Sequence, residues 1–412
     1  MKHIKIFVAL IVTILLASCN ANEKKEKTEK EIVHHVSSPA HAGSSLPALF
    51  TDNNKTLLSW VTQVDDSIAQ LNYSYLVAGK WQEPKEIISG ADWFVNWADF
   101  PLIAENNGNL LSHVLKKSSK EIFSYDIKLN VLPKGKTQWN TGLSLHTDGT
   151  KTEHGFVTTL PYKQNSFFIT WLDGRNMVGS SSGHGHGAKG SMSIRAAEVS
   201  TDGTVSNNVL LDDRTCSCCQ TTAAITDNGP VVLYRDRSNE EIRDISITRR
   251  VNGEWTKPKA IHDDGWKING CPVNGPKISA IGNNLVVAWF TAVNNEPKVK
   301  LVFSSDGGEN FDNPILISNL NTMGRVDVIM LDNENAIASW METVDSEAQI
   351  KAMKINKSGQ KSTPIVVSRL GNSRSTGFPQ MGLVNDKVHF AWTDVTNEIS
   401  TIKTAYVLLK VF

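Results

Sequence analysis

Seven times along this chain the same plan recurs: a short apolar strand, a turn spelled with Asn, Asp or Gly, and a second apolar strand ending near a large ring. The copies occupy residues 46–60, 100–113, 158–171, 221–234, 275–289, 326–340 and 378–392, anchored by Trp60, His113, Trp171, Tyr234, Trp289, Trp340 and Trp392. Anchors 51 to 63 residues apart leave room for four antiparallel strands per copy. A repeat of that length arranged around an axis is the sequence signature of a propeller.

The turns support hairpins, because Asn107-Gly108, Asp227-Asn228-Gly229 and Gly282-Asn283-Asn284 accept left-handed backbone angles. Third strands follow near 71–76, 242–249 and 299–303, and fourth strands are marked by Trp81-x-x-Pro84, Trp255-x-x-Pro258 and Phe311-x-x-Pro314. Proline suits an outer edge, where its missing N–H is not needed. After the last copy the sequence stops soon after Tyr406-Val407, before a fourth strand. Residues 31–36 are expected to pair there, closing the ring and covering an exposed edge. The expectation is an all-β, seven-bladed β-propeller over residues 47–412.

Lys2 and Lys5 precede an apolar run over 6–16, which is too short to span a bilayer comfortably and has the form of a signal peptide. It ends in Leu16-Ala17-Ser18-Cys19, which resembles the lipobox of bacterial lipoproteins; the resemblance implies a signal peptide over 1–19 and acylation of Cys19. Asn20 differs from the Asp of an inner-membrane retention signal, so the implied location is extracytoplasmic, lipid-anchored at the outer membrane of a Gram-negative bacterium. Residues 20–46, mixed Lys and Glu and then small side chains, read as a tether. With 42 basic and 42 acidic residues the chain has no global field to recruit nucleic acid. Membrane contact is expected through the lipid alone, and the chain is expected to be a monomer.

One turn carries a family resemblance. Ser304-x-Asp306-x-Gly308-x-x-Phe311 resembles the Asp-box, or BNR repeat, of sialidase-like propellers. Its role is structural: Ser and Asp side chains cap backbone N–H groups, Gly takes the strained angle, and the aromatic ring packs beneath. The block 213–276, with Cys216-Ser217-Cys218-Cys219 and Gly270-Cys271-Pro272-Val273-Asn274-Gly275, resembles a segment of exported bacterial proteins classed as sialidase-like. Because sialidases have six blades, the resemblance admits a six-bladed alternative in which the copy around His113 is an insertion.

In a propeller, loops running into first strands and loops joining second to third strands share one face. That face is expected to collect residues 93–99, His154, Cys216, Cys218, Cys219, Gln220, Cys271, Arg325 and Arg374 from the first kind. From the second kind come Asp173-Gly174-Arg175, a Gly-rich loop with His184 and His186, Tyr234-Arg235-Asp236-Arg237, Glu342 and Asp394, with Arg243 and Asp244 opening a third strand beside them. The cysteines have two readings. Outside the cytoplasm, Cys216–Cys219 and Cys218–Cys271 disulfides would staple adjacent loops. Alternatively the same thiolates, with His184 or His186, would hold copper or zinc.

The arginines have another use, because a planar guanidinium meets a carboxylate bidentately and stays charged. The sialidase resemblance implies three arginines clamping a substrate carboxylate, a Tyr–Glu nucleophile pair and an Asp that shuttles a proton. Arg175, Arg235, Arg237, Arg243 and Arg325, with Tyr234, Asp99, Asp236 and Glu342, are the candidate parts. The Arg-Ile-Pro segment that supplies the first sialidase arginine is absent, and no tyrosine matches the nucleophile by motif. Arg235 and Asp236 have a second use, pairing with Arg243 and Asp244 across the neighbouring strand. The expected function is binding of an acidic or polar glycan, extended to exo-sialidase-like hydrolysis if the chain is an enzyme, with no cofactor. The alternatives are a copper- or zinc-binding propeller and a protein-binding one.

Overall fold

The computed structural model describes residues 32–52, 54–178, 190–319 and 321–412, which form seven antiparallel sheets. Their innermost strands are Ser44–Asp52, Ile103–Asn106, His154–Tyr162, Thr222–Thr226, Lys277–Ile281, Thr322–Met330 and Gln380–Val384. Each packs against the innermost strand of the next sheet, and the seventh packs against the first, so the sheets are blades 1 to 7 of a closed ring. All seven line one central channel of about 730 Å³. Among the described residues no helix is long and apolar enough to cross a membrane.

The ring has seven blades, not six. The copy around His113 is a complete blade, with strands Ile103–Asn106, Asn109–Lys117, Tyr125–Leu132 and Asn140–Ser144. Blade 7 is completed by His34–Val36, which pairs antiparallel with Ile399–Leu408 in the register His34 to Tyr406 and Val36 to Thr404. The first strand of blade 1 begins at Ser44, inside the segment read from sequence as tether. Pro84 and Pro258 do not sit within the outer strands but divide them. Lys80–Trp81 and Lys85–Gly90 flank the first, and Glu254–Trp255 and Lys259–Ala260 flank the second.

The ring anchors of the second strands are buried in every blade, including His113 and Tyr234 where the others carry tryptophan. Burial pushes the His113 imidazole down to about 3, so it packs as a neutral ring. A buried polar tip needs a partner, and several anchors find a carboxylate. Trp171 Nε1 donates to Asp173 at 3.0 Å, Trp289 Nε1 to Asp264 at 2.7 Å, Trp340 Nε1 to Glu342 at 2.8 Å, and Tyr234 Oη to Asp212 at 2.5 Å.

The Asp-box turn in blade 5 has the geometry its sequence calls for. Ser304 Oγ accepts the Gly308 N–H at 3.1 Å, and Asp306 accepts the Asn310 N–H at 2.9 Å. Gly308 has φ +83°, and a Cβ there would lie 2.6 Å from Ile247. Phe311 packs against the core shared by blades 4 and 5.

Three inner strands bulge at the same end. Leu46, Phe156 and Arg325 have φ of 59°, 51° and 50°, and the ladder register shifts beside each. A bulge of this kind re-aims a side chain out of the sheet. Each of the three N–H groups donates to a side chain from the preceding blade: Leu46 to Thr393 at 3.1 Å, Phe156 to Asp99 at 2.7 Å, and Arg325 to Asn274 at 2.7 Å. The motif repeats, but only blade 6 presents a charged residue from it.

Candidate functional site

The loops that run into the inner strands are knitted together at this bulged end. Gln220, leading into blade 4, donates to Ala98 O at 2.8 Å and accepts the Gly275 N–H at 3.1 Å, linking the approaches to blades 2, 4 and 5. Gly275 has to be glycine, because a Cβ there would stand 2.0 Å from Gln220 O. Asn274 extends the chain of contacts, donating to Met323 O at 3.3 Å and holding the Arg325 N–H.

Arg325 is the residue this scaffold displays. Gly324, at φ +75°, makes room for Asn274, since a Cβ would meet Asn274 Oδ1 at 2.3 Å. The Arg325 side chain then crosses to blade 7, where Nη1 donates to Thr376 Oγ1 at 2.7 Å and Gly377 O at 2.8 Å. Its guanidinium carbon lies 5.2 Å from the ring centre of Trp97 and 5.8 Å from that of Phe378. Those two rings are parallel within 7° at 5.8 Å. Arg325 is 6 % exposed and has no carboxylate partner among the described residues; burial first, and the charge of Arg374 second, hold it down to about 10. A desolvated cation without an anion is costly, so the site is poised for one. Trp97, Phe378 and Arg374 were not assigned from sequence: Phe378 read as the start of a repeat, and Trp97 and Arg374 as loop residues without a role.

The remaining arginines are differently placed. Arg235 is fully buried and donates to three main-chain oxygens: Asn274 O at 2.8 and 3.0 Å, Phe290 O at 2.7 Å and Arg243 O at 2.7 Å. Its fork is used on the scaffold and has no face left for a substrate. Arg237 chelates Glu241 at 2.7–3.1 Å, and Arg243 joins the same carboxylate at 2.8 Å. Arg175 grips Asp173 with two bonds of 2.7 Å. These three are neutralised within the chain.

The ion pairs expected across the strand are replaced by other contacts. Asp236 accepts from Ser246 Oγ at 3.0 Å and from the Arg237 N–H at 2.6 Å, and burial raises its carboxyl. Asp244 caps the N–H groups of Gly265 and Trp266 at 2.8 and 3.0 Å. The third strand accordingly starts at Ile245, after Arg243 and Asp244. Tyr234 is buried against Asp212, and Glu342 holds Trp340 and Lys351. Glu342 follows Trp340 by two residues, as Asp173 follows Trp171, so both carboxylates serve the ring anchors.

Two polar clusters went unread as clusters, although Asp99, His154 and Asp173 had each been placed on this face from sequence. Tyr125 donates to Glu153 at 2.7 Å and lies 3.3 Å from Asp99, whose carboxyl is pushed up to about 8, mainly by burial. This Tyr–Glu pair is entirely buried between blades 2 and 3. Next to it His146 and His154 stack at 3.8 Å around Asp148. His146 Nδ1 lies 2.8 Å from that carboxylate, and His154 Nε2 lies 3.4 Å from it and 3.7 Å from Asp173. Burial acts against the charge on Asp148, yet the Thr150 hydroxyl and N–H, then His154 and His146, hold its carboxyl well below the usual range. The spacing His146-x-Asp148 with His154 was the available signal.

The cysteines converge. Cys216 Sγ lies 3.5 Å from Cys219 Sγ and 3.8 Å from Cys218 Sγ, and Cys218 also meets the Cys271 side chain. A disulfide needs about 2.05 Å, and all four are free thiols here. Arg243 Nη1 donates to Cys216 Sγ at 3.3 Å. Hydrogen bonds from Cys218 and Cys219, helped by Arg243, hold Cys216 far below the ordinary thiol range, while burial raises Cys219. His184 and His186, offered by sequence as partners, lie outside the described residues, as does Cys19.

No protein-family model and no curated protein matches this chain. Among solved structures, a polysaccharide lyase described as an ulvan lyase of a new family aligns over 91% of this chain and 96% of its own, with 12% identity and a TM-score of 0.56. An α-L-arabinofuranosidase from Fusarium graminearum aligns over 92% and 97%, with 10% identity and a TM-score of 0.51. The NanB sialidase from Streptococcus pneumoniae aligns over 92% and 70%, with 12% identity and a TM-score of 0.45. The chain folds as a seven-bladed β-propeller. At these identities the likeness concerns architecture, and the chemistry of this propeller has to be argued from its own bulged end.

Proposed function

We propose that the propeller binds an acidic glycan, taking the sugar carboxylate on Arg325 and a sugar ring against Trp97. The observation that carries this is the bulge of blade 6. At the same turn blades 1 and 3 place Leu46 and Phe156, and here the chain spends a left-handed backbone angle on a guanidinium that no carboxylate among the described residues neutralises. Trp97, partly exposed and backed by the buried Phe378, gives an apolar ring of the kind that packs on the C–H face of a sugar. The names of the lyase and the arabinofuranosidase, both agents on glycans, support the same substrate class. The proposal is one of binding, because both tyrosines hydrogen-bonded to carboxylates, Tyr125 and Tyr234, are buried and out of reach of a substrate. Display outside the cytoplasm, as a monomer on a lipid at Cys19, belongs to the proposal and rests on the N-terminal sequence.

Calorimetric titration with oligosaccharides bearing a uronic or sialic acid tests the reading. Binding is expected for the acid, and not for its carboxyl-reduced counterpart or with Arg325→Gln. Equal binding of the reduced sugar would overturn it, and fluorophore release from a sialoside would replace binding with hydrolysis.

A further inference from the structure

The thiol cluster belongs to the turn that leads into blade 4, whereas Arg325 stands in the inner strand of blade 6. Cys216, Cys218 and Cys219 sit within one turn leading into blade 4, and their three sulfur atoms fall within 4.8 Å of one another. All three are at least 95 % buried. Packing alone does not account for them, since a hydrophobic side chain would fill the space without needing a charge beside it. Arg243 stands in that space, with Nη1 on Cys216, Nη2 on Glu241, and a buried Nε that has no hydrogen-bond partner among the described residues.

The sulfur separations fit a metal ion. Thiolates at about 2.3 Å from a common centre stand roughly 3.8–4.0 Å apart, whether the centre is tetrahedral or trigonal. The separations of 3.5 and 3.8 Å need only a small spread to reach that. Soft thiolates select soft ions. Structural zinc asks for four ligands in a closed tetrahedron, whereas among the described residues the buried set numbers three, with Cys271 half-buried at its edge beside Cys218.

We propose that Cys216, Cys218 and Cys219 form a binding site for one copper(I) ion, with Cys271 at its solvent-facing edge and Arg243 offsetting the negative charge of the thiolates. Binding is ligand exchange without change of oxidation state: copper(I) leaves its carrier, each ligating thiol gives its proton to solvent, and three copper–sulfur bonds form. Arg243 is a positioning residue, held in place by Glu241.

The test is anaerobic titration of the full folded chain with copper(I) in competition with a chromophoric chelator, together with X-ray absorption at the copper edge. One ion per chain with an all-sulfur shell is expected. Cys216→Ser/Cys219→Ser should abolish uptake, and Arg243→Gln should weaken it by about 10–100-fold, as loss of a supporting contact does. Circular dichroism confirms that each variant is folded, and should the double variant not fold, the Arg243→Gln affinity and the sulfur shell of the wild type decide. Uptake that survives the double variant, a nitrogen or oxygen shell, tighter binding of zinc than of copper(I), or Cys216–Cys219 and Cys218–Cys271 disulfides mapped in protein isolated without reductant would each overturn the proposal. Glycan binding by Arg325 stands or falls separately.

Discussion

The main-chain N–H of Phe156 donates to Asp99 Oδ1 at 2.7 Å, the bond that Arg325 makes to Asn274 three blades on. One position is thus served by a carboxyl in blade 2 and by an amide in blade 5. Burial pushes the Asp99 carboxyl up to about 8 from 3.8, so below about pH 8 the folded chain keeps the proton that an unfolded chain releases above 3.8. The stability this contributes is whole at low pH and is lost as pH rises from 3.8 to about 8. Asp99→Asn copies the neutral form. We expect it to flatten the fall in melting temperature over that window and to raise stability at pH 8; parallel wild-type and variant profiles would contradict this.

Arg235 is expected to be a folding determinant. Hydrogen bonds from a charged donor are worth about 1.5–3 kcal/mol each, and removing the donor leaves Asn274, Phe290 and Arg243 carbonyls buried and unpaired. Arg235→Met should cost at least about 3 kcal/mol in urea unfolding, and Arg235→Lys should not rescue it, because an ammonium lacks the planar fork.

The contrast between Arg235 and Arg325 shows where the sequence stopped being informative. The sequence put both arginines on loops of one face, where residue type alone made them equal candidates, and the structure puts both in strands. What separates them is whether carbonyls of neighbouring blades converge on the guanidinium, which depends on blade-to-blade packing and has no local signature. The architecture was legible because the ring anchors repeat and because a turn such as the one at Ser304 is decided by its own residues. The closing strand was legible too, from the missing fourth strand of blade 7. The pairing of Tyr125 with Glu153 was not, since it joins segments of different blades, and the stack of His146 on His154 left only the spacing of His146, Asp148 and His154 as a sign.

Arg325→Gln should separate binding from stability. Removing a desolvated cation that meets no anion among the described residues is expected to leave the thermal midpoint unchanged or higher while acidic-glycan binding is lost. A large fall in the midpoint would make Arg325 a scaffold residue like Arg235.

Glu342→Ala is the converse. It unpairs the Trp340 indole, the Ser318 hydroxyl and Lys351, so unfolding free energy should drop by about 1–3 kcal/mol. Sugar affinity should be unchanged, and a selective loss of sugar affinity at wild-type stability would assign Glu342 to the binding site instead.

Deleting residues 32–36 should expose the edge of Ile399–Leu408. We expect a lower unfolding midpoint and self-association through that strand, measured by light scattering.

His34–Val36 and its partner strand are separated by almost the whole chain, and Val33 shares a packed cluster with Leu409 and Phe412. During synthesis the earliest of these segments must therefore wait, unmatched, until the ribosome has delivered the latest. A product that stops short of Ile399–Leu408 cannot complete blade 7 and leaves the ring with an open seam.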